Sequence, residues 1–240
     1  MLTHYDGTYP GFLTVIFARY RTLETIEIEP LTPQIDFLVA HDRVATDPAK
    51  AARVARYLRA QFGADFLRRC YGALLSVEAR HETVTARTIK KCIRHGKGVL
   101  ASADRDAVSF DRIVRAVYSE AHSWKGLLRF REVQDGYWYA PFAPKHDVIE
   151  LLTAHFARRL NGEHFVIHDC QRGCAALYED CRTEYFSAAA LSVVETAEES
   201  AYQDAWRLFY KTVAIPERAN PKLRQSNMPK RYWAHLIERL

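Results

Sequence analysis

At 240 residues, with 48% hydrophobic and 26% charged side chains, the chain can bury one large core or two small ones and has an ordinary globular composition. Its net charge of +5 and pI of about 8.9 exclude an acidic protein but fall short of a dedicated basic nucleic-acid binder. The longest apolar run, 187–194, is too short to cross a bilayer, and the first residues lack the charged and apolar regions of a secretory signal. Phe12, Val15, Ile16 and Arg19 recur at helical spacing and predict a helix over 10–20. Asp47 before Pro48 reads as an N-cap and first-turn proline, opening a helix through Val54 and Leu58. Helical spacing resumes after Gly63 over 62–77, then over 83–95, where Gly96 and Gly98 stop it, and again over 106–122.

The period then changes to alternation. Residues 127–133 and 137–142 read as two strands of a hairpin around Gln134, Asp135 and Gly136. A two-residue turn would mix polar and apolar side chains on both faces. A three-residue loop with Gly136 left-handed pairs Val133 with Tyr137 and Arg131 with Tyr139. That register puts Leu128, Phe130, Trp138, Ala140 and Phe142 on one face and Arg129, Arg131, Tyr137 and Tyr139 on the other, so it is preferred. An amphipathic helix is predicted over 147–160, strands over 164–169 and 175–178, an acidic stretch over 179–204, a helix over 197–213, and a last helix opened by Pro229. The expected fold is α+β: a mostly helical N-terminal half, then a small antiparallel sheet in the order strand-strand-helix-strand-strand backed by helices, then a helical C-terminus. We expect a single compact domain over 1–240, divisible into a helical part, 1–122, and an α+β part, 123–240.

Charge is unevenly spread. The last 26 residues hold Arg218, Lys222, Arg224, Lys230, Arg231 and Arg239 against Glu217 and Glu238, which is +4 of the chain's +5. Tyr232 and Trp233 follow directly on Lys230 and Arg231. Cations beside aromatic faces suit a phosphate-bearing polymer with stacked bases. If Pro229 opens a helix, Trp233 and Leu236 pack inward and Lys230 and Arg231 face the ligand. Arg87, Lys90, Lys91 and Arg94 share one helix face, and no acid occurs between Arg87 and Lys97, so a second phosphate-binding stripe is expected there. The outer hairpin face, with Arg129, Arg131, Tyr137 and Tyr139, has the residue types that stack unpaired bases.

His168 and Asp169 end a strand close to Arg172, which makes these three the catalytic candidates. Adjacent strand residues point to opposite faces, so His168 and Asp169 do not easily act as a pair. His168, Cys170, Cys174 and Cys181 lack the paired spacing of a zinc site and the spacing of a radical-SAM cluster, so no metal and no cofactor are expected in this chain. The five cysteines, an odd number, read as reduced thiols of a cytoplasmic protein.

Several blocks carry a resemblance. They are Tyr5-Asp6-Gly7-Thr8 with Gly11-Phe12-Leu13; Gly126 through Glu132; Tyr139-Ala140; His155-Phe156 with Arg159; Ile167-His168-Asp169 with Arg172; and Arg218-x-Asn220 with Met228-Pro229-Lys230-Arg231-Tyr232-Trp233. The chain resembles the bacterial DNA metabolism/repair protein family that carries domain of unknown function 4130. Its members are encoded beside a radical-SAM protein, and some add a C-terminal domain similar to uracil-DNA glycosylase. The resemblance implies DNA metabolism and a radical-SAM partner, with no catalytic residues to carry over. With the Trp233 block as the last match, the glycosylase-like domain is expected to be absent. The expected function is therefore nucleic-acid binding in DNA repair or modification. DNA or RNA would be held by Arg87, Lys90, Lys91, Arg94, Arg129, Arg131, Tyr137, Tyr139, Arg218, Asn220, Lys230 and Arg231, with no membrane involved. The alternatives are a stand-alone hydrolase or glycosylase, and a scaffold whose acidic stretch meets a basic protein.

Overall fold

The computed structural model describes residues 1–31, 42–189 and 191–238. Arg239 of the basic segment and Ala190 of the apolar run 187–194 lie outside them. The fold is α+β, with a helix-rich N-terminal half and a helical C-terminus. The chain divides into two units, Met1–Ser119 and Glu120–Leu240.

The first unit contains a parallel sheet that the sequence did not announce. Strands β1 (Leu2–Tyr5), β2 (Glu27–Pro30) and β3 (Asp42–Arg43) lie in the order β2-β1-β3. They span four, four and two residues, too short to display alternation. Parallel strands need a crossover, and helix α1 (Tyr9–Ala18) supplies the one from β1 to β2. Asp6, Thr8 and Gly11 build this junction. Asp6 Oδ1 accepts from the Thr8 amide (3.0 Å) and hydroxyl (2.7 Å), and Thr8 Oγ1 caps α1 by accepting from the Gly11 amide at 3.0 Å. A Cβ on Gly11 would fall 2.1 Å from Asp6 Oδ1, so only glycine fits there.

Helices α2 (Pro48–Phe62), α3 (Ala64–Leu74), α4 (His81–His95) and α5 (Arg105–Leu127) follow. Asp47 caps α2 as expected, accepting from Ala49 and Lys50 amides. Phe12, Leu58, Phe66, Ile89 and Phe110 are buried together at the centre of this unit. Helix α5 runs to Leu127, which corrects the strand expected from that residue. The helical hydrogen bonds persist to Leu128, and the first hairpin strand begins only at Arg131.

The edge of the first sheet is clamped by charge. Thr3 Oγ1 donates to Asp42 Oδ2 at 2.9 Å, Arg19 Nε donates to the same oxygen at 2.8 Å, and Arg19 Nη2 pairs with Oδ1. The Arg19 hydrogen bond, opposed by partial burial, holds the Asp42 carboxyl below its ordinary value. A depressed carboxyl stabilises the fold above its unfolded value, about pH 4, and the contribution is lost as pH falls through the folded one. Asp42→Asn should therefore cost about 1–2 kcal/mol at neutral pH. The gap in urea midpoint between wild type and variant should narrow below about pH 4. A gap that does not change with pH would show that the carboxylate charge is not what clamps β3.

In the second unit, β4 (Arg131–Val133), β5 (Tyr137–Phe142), β6 (Phe165–Asp169), β7 (Cys174–Glu179) and β8 (Arg182–Ser187) form one sheet in chain order. The hairpin has the expected register: Val133 faces Tyr137, Arg131 faces Tyr139, and Gly136 has φ 75°. The sheet is mixed, not wholly antiparallel. Helix α6 (Ile149–Arg159) returns the chain before β6, so β5 and β6 run parallel. Strand β8 arises inside the acidic stretch. Asp180 and Cys181, at φ 48° and 61°, form a two-residue left-handed turn of the kind that closes hairpins. All six β8 residues are exposed, so no buried alternation marked it beforehand. Thr196 caps helix α7 (Ala197–Thr212) by accepting from the Glu199 amide at 3.1 Å. The short helix α8 (Pro221–Asn227) follows. Pro229 opens the last helix as expected; it is a six-residue 3-10 helix, Lys230–His235. Tyr232 and Leu236 of this segment are buried. Among the described residues no helix is long and apolar enough to cross a membrane.

Candidate nucleic-acid interface

Helix α4 brings Arg87, Lys90, Lys91 and Arg94 to one side, but acids from distant positions answer most of that charge. Lys90 is only 5% exposed; its Nζ donates to the Arg21 carbonyl at 3.0 Å and lies 3.6 Å from Glu24 and 5.8 Å from the Tyr20 ring centroid. Lys91 bonds Asp104 at 2.6 Å and Asp106 at 2.8 Å. Burial opposes the Lys91 charge, yet these two carboxylates raise its pKa. Arg94 meets Glu24 at 3.3 Å. Arg87 lacks a carboxylate partner among the described residues and donates to the Ile26 carbonyl at 3.3 Å. Reversing Lys90 to Glu would bury a carboxylate against a carbonyl, so that change reports on folding before it reports on binding.

The arginine and tyrosine face of the hairpin is occupied as well. Tyr139 is buried, and its hydroxyl lies 2.6 Å from His168 Nδ1. Burial pushes the Tyr139 hydroxyl pKa up to about 12. Arg131 lies 5.2 Å over the Tyr139 ring and pairs with Glu195. Tyr137 donates to Glu179, and Arg129 Nε donates to Glu238 at 3.3 Å. The turn Lys230–His235 packs against β5. Burial, with Arg131 and His168 nearby, lowers the pKa of His235. This face therefore holds a polar cluster, where the sequence suggested an open stacking platform. Part of the acidic stretch is engaged in the same way. Buried Glu199 accepts from the Glu132 amide at 2.9 Å, and Asp204 pairs with Arg207 at 2.7 Å.

Of the three catalytic candidates, His168 faces Tyr139, while Asp169 and Arg172 face each other. Asp169 is fully buried. Its Oδ1 accepts from the Gln171 and Arg172 amides at 2.9 and 3.1 Å, and its Oδ2 accepts from Arg172 Nη1 at 2.9 Å. Arg172 also donates to the Pro144 and Lys145 carbonyls at 3.2 and 2.6 Å. These bonds shape the turn between β6 and β7. Cys170 and Cys181 are exposed and Cys174 is half-buried. Among the described residues no group of three or more His, Cys, Asp or Glu side chains is arranged to hold a metal ion.

The closing block builds an open pocket of about 530 Å³. Arg224 of α8 lies 5.0 Å over the Trp233 ring and 5.9 Å from that of Tyr210 on α7. Trp233 is oriented by its Nε1, which donates to the Met228 carbonyl at 2.8 Å. Arg218 and Asn220 line the same pocket, and the Asn220 side chain also caps α8 by accepting from the Leu223 amide at 3.0 Å. Lys230 and Arg231 are exposed, and the Arg231 guanidinium lies 4.8 Å over the Tyr232 ring. Arg224 and Tyr210 were not singled out from sequence. Arg224 was one cation among six, and its aromatic neighbours come from separate elements.

The fold and this pocket define an α+β protein whose C-terminal unit ends in an arginine–aromatic cradle. The family described as Domain of unknown function (DUF4130) matches residues 79–238, and the chain belongs to it. No curated protein and no solved structure matches the chain.

Proposed function

We propose that this chain is a cytoplasmic nucleic-acid-binding protein of DNA repair or modification that works beside a radical-SAM partner. The observation that carries the binding reading is the stacking of Arg224 on Trp233 and Tyr210 in the closing-block pocket. Aromatic faces accept bases of any sequence, and guanidinium groups beside them answer the phosphates. The radical-SAM partnership rests on the family resemblance. In this reading the partner supplies the chemistry and its cofactor, and this chain holds the strand.

The test is fluorescence anisotropy with labelled single- and double-stranded DNA and RNA over a salt series. Arg224→Ala and Trp233→Ala should each weaken binding by about 1–3 kcal/mol. Affinity should also fall steeply with salt. Low-salt affinity unchanged by both substitutions would sink the reading. A second reading, a stand-alone hydrolase or glycosylase, draws on the buried contact between Tyr139 and His168 at 2.6 Å. Product formed by the pure chain on damaged oligonucleotides, with or without divalent metal, would favour it.

A further inference from the structure

In the unit Met1–Ser119 a cavity of about 580 Å³ lies beside α4 and α5. Arg80, Arg87, Lys91, Arg105 and Arg112 line it, with Asp106 as the lining carboxylate. Part of this charge is answered from outside the wall: Glu27 sits 2.7 Å from Arg80, Glu78 3.5 Å from Arg112, and Asp104 2.6 Å from Lys91. Two cations are not answered. Arg105 is exposed and meets no carboxylate among the described residues. Arg87 bonds the Ile26 carbonyl, and its Nε is buried with no acceptor among the described residues.

A buried guanidinium N–H without an acceptor destabilises the fold unless something in the cavity accepts from it. We propose that this cavity is a binding site for a phosphate-bearing anion of nucleotide size. Its volume lies in the range of small-ligand sites. The planar guanidinium fork matches phosphate oxygens, so Arg87 and Arg105 supply the donors that hold the anion. The Ser109 hydroxyl, also in the wall, gives a further oxygen a neutral donor. A free nucleotide and the phosphorylated end of a strand present the same chemistry. It shares no lining residue with the Arg224 pocket.

Calorimetric titration of the full chain with inorganic pyrophosphate, adenosine triphosphate, and 5′-phosphorylated and 5′-hydroxyl oligonucleotides tests the site. Saturable pyrophosphate binding is expected, weakened about tenfold or more by Arg105→Ala and by Arg87→Ala. Arg105 is exposed, so Arg105→Ala should melt like wild type and keeps the test readable if Arg87→Ala does not fold. Preference for the 5′-phosphorylated oligonucleotide assigns the anion to a strand end. Equal affinity for both oligonucleotides, with pyrophosphate still bound, assigns it to a free nucleotide. No saturable binding of pyrophosphate or nucleotide by wild type, or unchanged binding by Arg105→Ala, overturns the proposal.

Discussion

Replacing Trp124 by alanine should destabilise the second unit by about 3–5 kcal/mol, the range for deleting a large buried aromatic. Trp124 is 1% exposed and meets Phe142 edge-on at 5.2 Å and Tyr232 at 4.8 Å. Such contacts add to the area the ring buries. Phe142 belongs to the interior strand β5, and Tyr232 to the closing 3-10 helix. Trp124 therefore fixes the turn that carries Lys230 and Arg231. The denaturant midpoint of Trp124→Ala should fall sharply, and that of Trp124→Phe less, because a ring remains between its two neighbours. Trypsin should also cut after Lys230 and Arg231 faster in Trp124→Ala. A loss under about 1 kcal/mol would mean that the closing block is not anchored through Tyr232.

This anchoring shows what could and could not be read along the chain. The Trp233 block was visible as charge beside aromatics, but its division of labour was not. Tyr232 goes inward, while Trp233 is half-buried and stacks on Arg224. Only packing decides which ring does which. Elements with their own local chemistry were legible: Asp47 with Pro48 starts α2, Gly96 with φ 82° ends α4, and the apolar pattern sets the β4–β5 register. The parallel sheet was hidden because its strands are too short for a period to emerge. Strand β8 was hidden because both its faces are exposed. The α4 stripe was correctly placed on one helix, yet Glu24, Asp104 and Asp106, which answer it, come from other segments. Helical spacing reports which side chains share a face; it carries no information about what packs opposite them.

Asp169→Ala should cost about 3 kcal/mol, because it leaves the half-buried Arg172 without its carboxylate and two turn amides without their acceptor. Asp169 is 0% exposed and binds Arg172 at 2.9 Å, while Arg172 reaches back to the Pro144 and Lys145 carbonyls. The pair thus ties the turn after β6 to the segment between β5 and α6. A catalytic carboxylate would behave differently. Its removal would abolish turnover while leaving stability near wild type, and asparagine would not restore activity. If Asp169 is structural, Asp169→Asn should recover part of the loss, since its amide oxygen can still accept from the Gln171 and Arg172 amides. Urea unfolding of the two variants, with nucleic-acid binding of the folded fraction measured alongside, separates the roles. A stable Asp169→Ala protein would return Asp169 to the catalytic candidates. An unstable Asp169→Ala, with a partly rescued Asp169→Asn that binds nucleic acid like wild type, leaves His168, held by Tyr139, as the member of that trio available for chemistry.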